Sequence, residues 1–377
     1  MIILVIIGAS LLLIFGVVTY RWIQLNSYNQ SPLCIKTFDN LNSPFHPSVV
    51  FFHDGWNGWK YWMVETPFSP RCTPYIDRNE CPSLHVSNDG INWTTPTNLT
   101  NPLVNFGIEG EQNLDYYSDP HLIKTNNRLE CFYRLTERHG DINKRDNVSL
   151  RRIESVDGIN WSDEEIISNL WLEELNIGLG KMVVSPSLIY SDEHGYIMWY
   201  VNSEDHSGNR DIALSTSKDG KKWTDAIICT LNGKTLNPWH IDVMKDHDET
   251  LLMTIYDKKD ISLWKSDDGF NWEYINTILS PSAIIGSFYS DGLYRSCLIH
   301  DSENYKLYFS AYNFNKTSIG LCTFNILGDN PTIVSHGRNC SFLQFIILYF
   351  EYEYRHIAFV LKNIFNKILS CVSFGFR

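Results

Sequence analysis

Residues Ser87–Trp93 read SNDGINW, and the pattern Ser-x-Asp-Gly-x-x-Trp recurs three more times, ending at Trp161, Trp223 and Trp272. In an Asp-Gly pair the glycine adopts a positive φ at little cost, and the aspartate side chain can cap its own turn. We expect the tryptophan three residues after the glycine to pack over the hairpin. The four copies are therefore interpreted as structural turns and not as a catalytic motif.

Runs of alternating apolar residues recur with these turns. Five such runs open at comparable places: His46–Thr66, Asp119–Glu137, Ser185–Glu204, His240–Asp257 and Tyr294–Asn313. Alternation with a period of two, bounded by Gly, Asp and Asn, indicates strands and hairpins. Repeats of about 50–70 residues that hold four strands each are typical of propeller blades. The sequence therefore predicts an all-β, five-bladed β-propeller.

The fifth run is not followed by an Asp-Gly turn, so its blade lacks a last hairpin. We expect the segment Cys34–Asn40 to supply the missing outer strand and close the ring, because an unpaired sheet edge promotes aggregation. The propeller is predicted over residues 34–327. Residues 328–377 are predicted to be a partly helical C-terminal tail, in which an amphipathic stretch either lies on a membrane surface or docks on the propeller.

The composition agrees with a β-rich protein and limits its partners. Aromatic residues make up 14% of the 377-residue chain, and they suit a pleated, half-buried surface. The formal net charge is −12. Binding to phosphate backbones needs clustered Lys and Arg, so nucleic acid is not expected as a partner.

The N-terminus carries a long uncharged stretch, Ile2–Tyr20. Its length suffices to cross a bilayer, and no cleavage site of a secretory signal follows it. We therefore predict a transmembrane anchor over residues 1–21, with a removed signal peptide as the alternative. The membrane is then a partner, and the propeller is expected to be extracytoplasmic, although Arg21 directly after the span favours the opposite orientation.

Five blades with Ser-x-Asp-Gly-x-x-Trp turns resemble the β-fructosidase and arabinanase superfamily, notably glycoside hydrolase family 43, over roughly residues 34–327. The turns also resemble the Asp-boxes of sialidases, which have one more residue between Asp and Gly. The resemblance implies a carbohydrate partner and a site at one end of the central channel. It also implies three carboxylates on the innermost strands: an aspartate base on blade one, a pKa-tuning aspartate on blade two, and a glutamate acid on a later blade.

The family pattern carries over in part to this sequence. Asp119-Pro120 matches the opening of the second blade, which puts Asp119 in the place of the second aspartate. His46 stands where the family has its base, and a neutral histidine can act as a base. The third blade opens with Ser185 and provides no glutamate, so the acid must lie elsewhere. Candidate acids are Glu80, Glu109 and Glu111.

Further charged residues open the later blades. His240 and Asp242 lie two residues apart, so they share one face of a strand, and Arg295 opens the fifth run. Arg134, in an otherwise apolar run, is either a substrate clamp or a partner for Glu130. We thus predict Asp119, Glu80 and His46 as catalytic residues, and Arg134, His240, Asp242 and Arg295 as substrate-binding residues. The alternative is that these groups pair with one another and plug the channel.

The nine cysteines include no CxxC pair, so no zinc or thioredoxin-type site is indicated. The sequence predicts no cofactor. The histidines expected at the channel leave a metal ion open as an alternative there, although they lack the spacing of a metal motif. The leading hypothesis is a carbohydrate-active propeller that hydrolyses glycosidic bonds in a surface polysaccharide. The alternative is a noncatalytic propeller that binds glycans or serves as a scaffold.

Overall fold

The protein is an all-β, five-bladed β-propeller, as the sequence predicts. The computed structural model describes residues 2–27, 31–68, 80–104, 115–137, 146–169, 183–202, 210–284, 286–301, 304–313, 316–324, 332–334 and 346. Five antiparallel sheets follow one another along the chain. Their first strands contact each other in a closed cycle around a central channel. An apolar core fills each of the five spaces between adjacent blades.

The inner strands are β1 (Pro44–Trp56), β4 (Tyr116–Thr125), β8 (Val183–Ser191), β13 (His240–Lys245) and β17 (Gly292–His300). The second strands are β2 (Trp59–Pro67), β5 (Arg128–Glu137), β9 (Gly195–Asn202), β14 (Leu251–Tyr256) and β18 (Tyr305–Asn313). The third strands are β3 (Ser83–Ser87), β6 (Asn147–Ser155), β10 (Asp211–Ser217), β15 (Ile261–Ser266) and β19 (Lys316–Phe324). The outer strands are β7 (Glu165–Asn169), β11 (Ile227–Ile228), β16 (Asn271–Leu279) and β20 (Thr332–Val334), and β12 (Thr230–Asn232) runs parallel to β16.

Blades one, four and five depart from the arrangement that the sequence predicts, and blade four has a fifth strand, β12. Among the described residues, blade one has three strands, and a single bridge between Val86 and Thr94 stands in place of an outer strand. Blade five takes its outer strand from β20, which lies past residue 327. The prediction that Cys34–Asn40 supplies this strand is therefore wrong. That segment forms no strand, and Leu33 just before it donates one backbone hydrogen bond to Ile319 at 2.8 Å.

The Asp-Gly turns have the geometry that their sequence predicts. In the first copy, Oδ1 of Asp89 accepts the backbone N–H groups of Ile91 at 2.8 Å and Asn92 at 2.7 Å. Oγ of Ser87 accepts the N–H of Gly90 at 2.9 Å, and Gly90 has φ +72°. These bonds to the ionised carboxylate lower the pKa of Asp89 to about 2, against the opposing effect of its partial burial.

Each turn also packs against the preceding blade. The indole Nε1 of Trp199 in blade three donates to the carbonyl of Gly269 in blade four at 2.8 Å. The hydroxyl of Tyr308 in blade five donates to the carbonyl of Gly90 in blade one at 2.9 Å. The same turn therefore joins neighbouring blades and closes the ring between the last blade and the first.

The N-terminus forms a helix, α1 (Ile2–Ser27). Its side chains are described over residues 12–25, where Val18 and Leu25 form a small apolar cluster with Ile284. Within the part of the chain whose placement is described, no helix combines the length and the apolar character needed to cross a bilayer. The predicted transmembrane anchor over residues 1–21 is therefore not supported. The extracytoplasmic location stays a prediction, and the predicted helical tail lies outside the described residues apart from 332–334 and 346.

Candidate active site

An irregularity at the start of three inner strands builds the site. His46, Asp119 and Ser185 have φ values of +50°, +52° and +50°, and the strand register shifts at each of them. Each residue precedes a proline, a position that already disfavours helical backbone angles. A left-handed conformation in a residue other than glycine costs of order 1–3 kcal/mol and clusters at functional sites. Bulges of this kind re-aim a side chain, here at the same mouth of the channel.

Three side chains from three blades meet at this mouth: His46 of blade one, Asp119 of blade two and His240 of blade four. Each offers one nitrogen or oxygen atom, and these three atoms lie within 4.8 Å of one another. All three residues are buried. Two imidazoles and a carboxylate form a donor set that suits Zn²⁺ and similar divalent ions.

Asp119 is held in the ionised state. Its Oδ2 accepts Nη1 of Arg134 at 2.8 Å and the backbone N–H of Ser185 at 3.3 Å. Its Oδ1 faces Nδ1 of His240 at 3.6 Å and Nη1 of Arg295 at 3.7 Å. Burial alone would raise the pKa of Asp119, but the guanidinium groups of Arg134 and Arg295 hold it far below its usual range. One carboxylate oxygen is therefore fixed, and the other faces the cluster.

His240 is buried and incompletely bonded. Among the described residues, neither of its ring nitrogens has a hydrogen-bond partner. Burial lowers the pKa of this imidazole well below its usual value, so the ring is neutral and can bind a metal ion. A buried polar atom left without a partner costs about 1–3 kcal/mol, and such exceptions call for an explanation such as a bound ion.

Two side chains at Nδ1 fix the orientation of the His46 ring. Its Nδ1 lies 2.8 Å from Oγ1 of Thr66 and 3.2 Å from Oε1 of Glu80. A carboxylate on one ring nitrogen fixes the orientation and leaves Nε2 for a ligand, as is usual for metal-binding histidines. Glu80 is therefore the second carboxylate of the site, next to the cluster and on the blade-one side.

Asp242 lies deeper in the channel than His240. Its Oδ2 accepts the backbone N–H of Leu298 at 2.8 Å, and its Oδ1 lies 3.7 Å from Nδ1 of His121. Burial raises the pKa of Asp242 to about 7 and lowers the pKa of His121 to about 3. Near pH 7, His121 is therefore neutral and Asp242 is about half protonated. They form a second layer of the channel, below the cluster.

Aromatic rings form one wall of the mouth. The ring of Tyr294 lies 4.2 Å from that of His240 and stacks on Phe45 at 5.2 Å. Phe45 in turn stacks on Phe68 at 5.4 Å. Nε1 of Trp239 donates to the hydroxyl of Tyr294 at 2.8 Å. Such faces can support a sugar ring beside the cluster.

All seven residues selected from the sequence lie along the channel. Arg134 bonds to Asp119, whereas Glu130 bonds to Arg152 and Tyr196. The roles of the seven stay predictions, and Glu109 and Glu111 lie outside the described residues.

Sequence reasoning assigned no metal ligands and no role to Thr66 or His121. Three of the runs begin with a residue followed by proline, and this repeated pair is the sequence feature from which the bulged positions could have been predicted.

Comparison with known proteins places this geometry in context. No protein-family model matches the chain. Over 301 residues it is 27% identical to an A type blood N-acetyl-α-D-galactosamine deacetylase from Flavonifractor plautii, covering 68% of this chain and 37% of the relative. The chain thus spans little more than a third of that protein's length.

Solved structures agree on the fold. A crystal structure of an N-acetylgalactosamine deacetylase from F. plautii, in complex with blood group B trisaccharide, matches with a TM-score of 0.61 at 19% identity, covering 79% of this chain and 96% of that one. The chain has a glycoside-hydrolase-like propeller fold. The β-xylosidase RS223 matches with a TM-score of 0.52 at 10% identity, over 78% of this chain and 95% of that one. A family-43 protein from Bacillus licheniformis matches with a TM-score of 0.51 at 12% identity, covering 79% of this chain and 58% of that one. The resemblance in fold inferred from the sequence is confirmed.

Proposed function

We propose that the protein removes the acetyl group from an N-acetylated amino sugar of a glycan, with a divalent metal ion held by His46, Asp119 and His240. The observation that carries this proposal is the meeting of three ligand atoms within 4.8 Å, one of them on a buried imidazole that has no hydrogen-bond partner among the described residues. Catalytic zinc sites have three protein ligands and leave a position open for water or substrate.

The chemistry is the hydrolysis of an amide. Water adds to the acetyl carbonyl carbon, the bond from that carbon to nitrogen breaks, the nitrogen takes up a proton, and acetate leaves. A divalent cation supplies Lewis acidity, which polarises a carbonyl oxygen and lowers the pKa of water.

Two side chains of the mouth have the chemistry for the remaining work. Glu80, beside His46, is the carboxylate that we assign to take the proton from the attacking water. Burial raises the pKa of Tyr294 above its ordinary value, so its phenol stays protonated. Because its oxygen accepts the indole N–H of Trp239, its own O–H can donate to the developing oxyanion.

The relative's name supports the choice of reaction. The chain is 27% identical to a protein named as an N-acetyl-α-D-galactosamine deacetylase. The aromatic wall formed by Phe45, Phe68 and Tyr294 adds a surface on which a sugar ring can stack. A terminal N-acetylgalactosamine is therefore the first substrate to test.

A second candidate is the hydrolysis of a glycosidic bond in a polysaccharide. It is favoured by the presence of two carboxylates, Asp119 and Glu80, at one channel mouth of a glycoside-hydrolase-like propeller. Inverting hydrolysis uses a base and an acid on opposite faces of the sugar. Asp119, which is ionised and bonded to Arg134, has no proton to donate, so Glu80 would have to be the acid. A noncatalytic glycan-binding propeller would bind the oligosaccharide but release neither acetate nor a new reducing end.

Product analysis separates these candidates. Purified full-length protein is stripped with a chelator, resupplied with Zn²⁺ and incubated with an oligosaccharide that ends in N-acetylgalactosamine, and acetate and new reducing ends are both quantified. We expect acetate alone, dependent on the added metal. His240→Ala should abolish its release. His53→Ala, which alters a side chain 76% exposed at the surface, should retain it. The appearance of new reducing ends without acetate would contradict deacetylation and support the hydrolysis of a glycosidic bond.

A further inference from the structure

A second group of metal-binding side chains lies at the opposite end of the channel. Asp246 and His247 follow directly after β13, and His300 ends β17 in the next blade. β13 starts at His240, so six residues separate Asp246 from the first cluster, roughly 20 Å along an extended strand. The two groups are therefore separate sites.

This far cluster can be interpreted either as a metal site or as a simple ion pair between Asp246 and His300. Asp246, His247 and His300 each offer a ligand atom, and these atoms lie within 4.8 Å of one another. Oδ1 of Asp246 accepts the backbone N–H of His247 at 2.8 Å and lies 3.0 Å from Nδ1 of His300. The hydroxyl of Tyr305 donates to the other oxygen, so the carboxylate is fixed in place.

The position of the His247 ring decides between the two interpretations. An ion pair between Asp246 and His300 uses only the backbone of His247, and it does not need that side chain. Yet the imidazole of His247 lies 4.6 Å from that of His300, centroid to centroid. Two neighbouring imidazoles repel each other when protonated, whereas both can bind one cation when neutral.

We infer that Asp246, His247 and His300 bind a divalent transition-metal ion, with Zn²⁺ the best match for two nitrogen donors and one oxygen donor. The ion would join blade four to blade five at the far mouth. His247 and His300 also line a cavity of about 680 Å³ that continues into the channel. Positions not taken by protein ligands would face this cavity, and the binding of the ion would stabilise the folded ring.

Metal counting tests this site independently of the proposed enzymatic reaction. Purified full-length protein is stripped, titrated with Zn²⁺ by calorimetry and checked for bound metal after gel filtration. We expect two equivalents for the wild type. His247→Ala, which changes an exposed side chain, should leave one equivalent and remove part of the zinc-induced rise in the unfolding temperature. The matched control is His194→Ala, because His194 lines the same cavity and is 62% exposed.

The outcomes for the two clusters are distinguishable. If the wild type and His247→Ala bind the same amount of zinc, the far site is overturned whatever the activity of the protein. If Asp246→Asn also removes one equivalent and acetate release is unchanged, the far site stands as a separate metal site. Loss of an equivalent on His240→Ala concerns only the first cluster.

Discussion

Nη1 of Arg134 lies 2.8 Å from Oδ2 of Asp119, and both side chains are buried beside the channel axis. The guanidinium thereby fixes one carboxylate oxygen and leaves the other to face His240. The pair lies on adjacent strands, because Ser118 of β4 stands opposite Arg134 of β5. The bulge at Asp119 brings its carboxylate to the guanidinium.

Breaking this ion pair should strongly destabilise the protein. In Arg134→Gln, Asp119 keeps its charge in a buried position without its nearest partner, so we expect the free energy of unfolding to fall by about 3–5 kcal/mol. Urea denaturation measures it. Lys265→Gln removes one partner of the exposed pair Lys265–Glu273 and should cost less than about 1 kcal/mol. Equal losses in the two variants would contradict the role given to Arg134.

The pH dependence of the free energy of unfolding should reveal the titration of the buried carboxyl of Asp242. Its folded-state pKa is raised by burial from 3.8 to about 7. A raised pKa means that the stabilisation from the protonated form is fully present below about pH 4 and is lost as the pH rises toward 7. The groups that face this carboxyl are His121, Ser187, Arg295, the thiol of Cys297 and the N–H of Leu298.

Asp242→Asn removes this titration and keeps an acceptor for Leu298. Relative to the wild type, the variant should therefore gain roughly 3–4 kcal/mol between pH 4 and pH 8. Urea midpoints measured across this range provide the check. A constant difference between variant and wild type would show that Asp242 titrates as an ordinary surface carboxyl.

The Asp-Gly turns should tolerate no side chain at the glycine. A Cβ at Gly158, whose φ is +76°, would lie 2.2 Å from the ring of Trp62 in the preceding blade. Gly58 has φ +87° and open space around it. Gly58→Ala should cost about 1–2 kcal/mol from backbone strain alone, and Gly158→Ala a further 1–3 kcal/mol or so from overpacking. Thermal unfolding of both variants compares these losses, and similar values would argue against contact between the blades at this turn.

Kinetic measurements should distinguish the role of Glu80 from that of the metal ligands. Glu80→Gln keeps an acceptor for Nδ1 of His46 but cannot take a proton, so we expect kcat for acetate release to fall by about 10²–10⁴-fold. Zinc binding at the first cluster should stay within tenfold. Glu249→Gln, at an exposed carboxylate, serves as the control. Loss of zinc with unchanged kcat per bound metal would make Glu80 a positioning residue only.

The sequence was sufficient to predict the number of blades and the residues that open them. Alternation and Asp-Gly turns are local signals, so they could be recognised without coordinates. The outer strand β20 could not be predicted, since three residues carry too little pattern.

The cluster itself depends on tertiary structure, because His46, Asp119 and His240 come from three blades and two of them sit in bulges. His240 and Asp242 share a strand face, as predicted, yet about 7 Å of strand separates them. His240 therefore belongs to the mouth of the channel, and Asp242 belongs to the buried layer below it.

The central claim is that His46, Asp119 and His240 hold a metal ion. The most direct measurement is anomalous diffraction at the zinc edge from crystals of the full-length protein grown with Zn²⁺. We predict an anomalous peak about 2.0–2.2 Å from a ring nitrogen of each histidine and from Oδ1 of Asp119. A mouth without such a peak, in which His240 and Arg295 instead bond to protein groups, would contradict it.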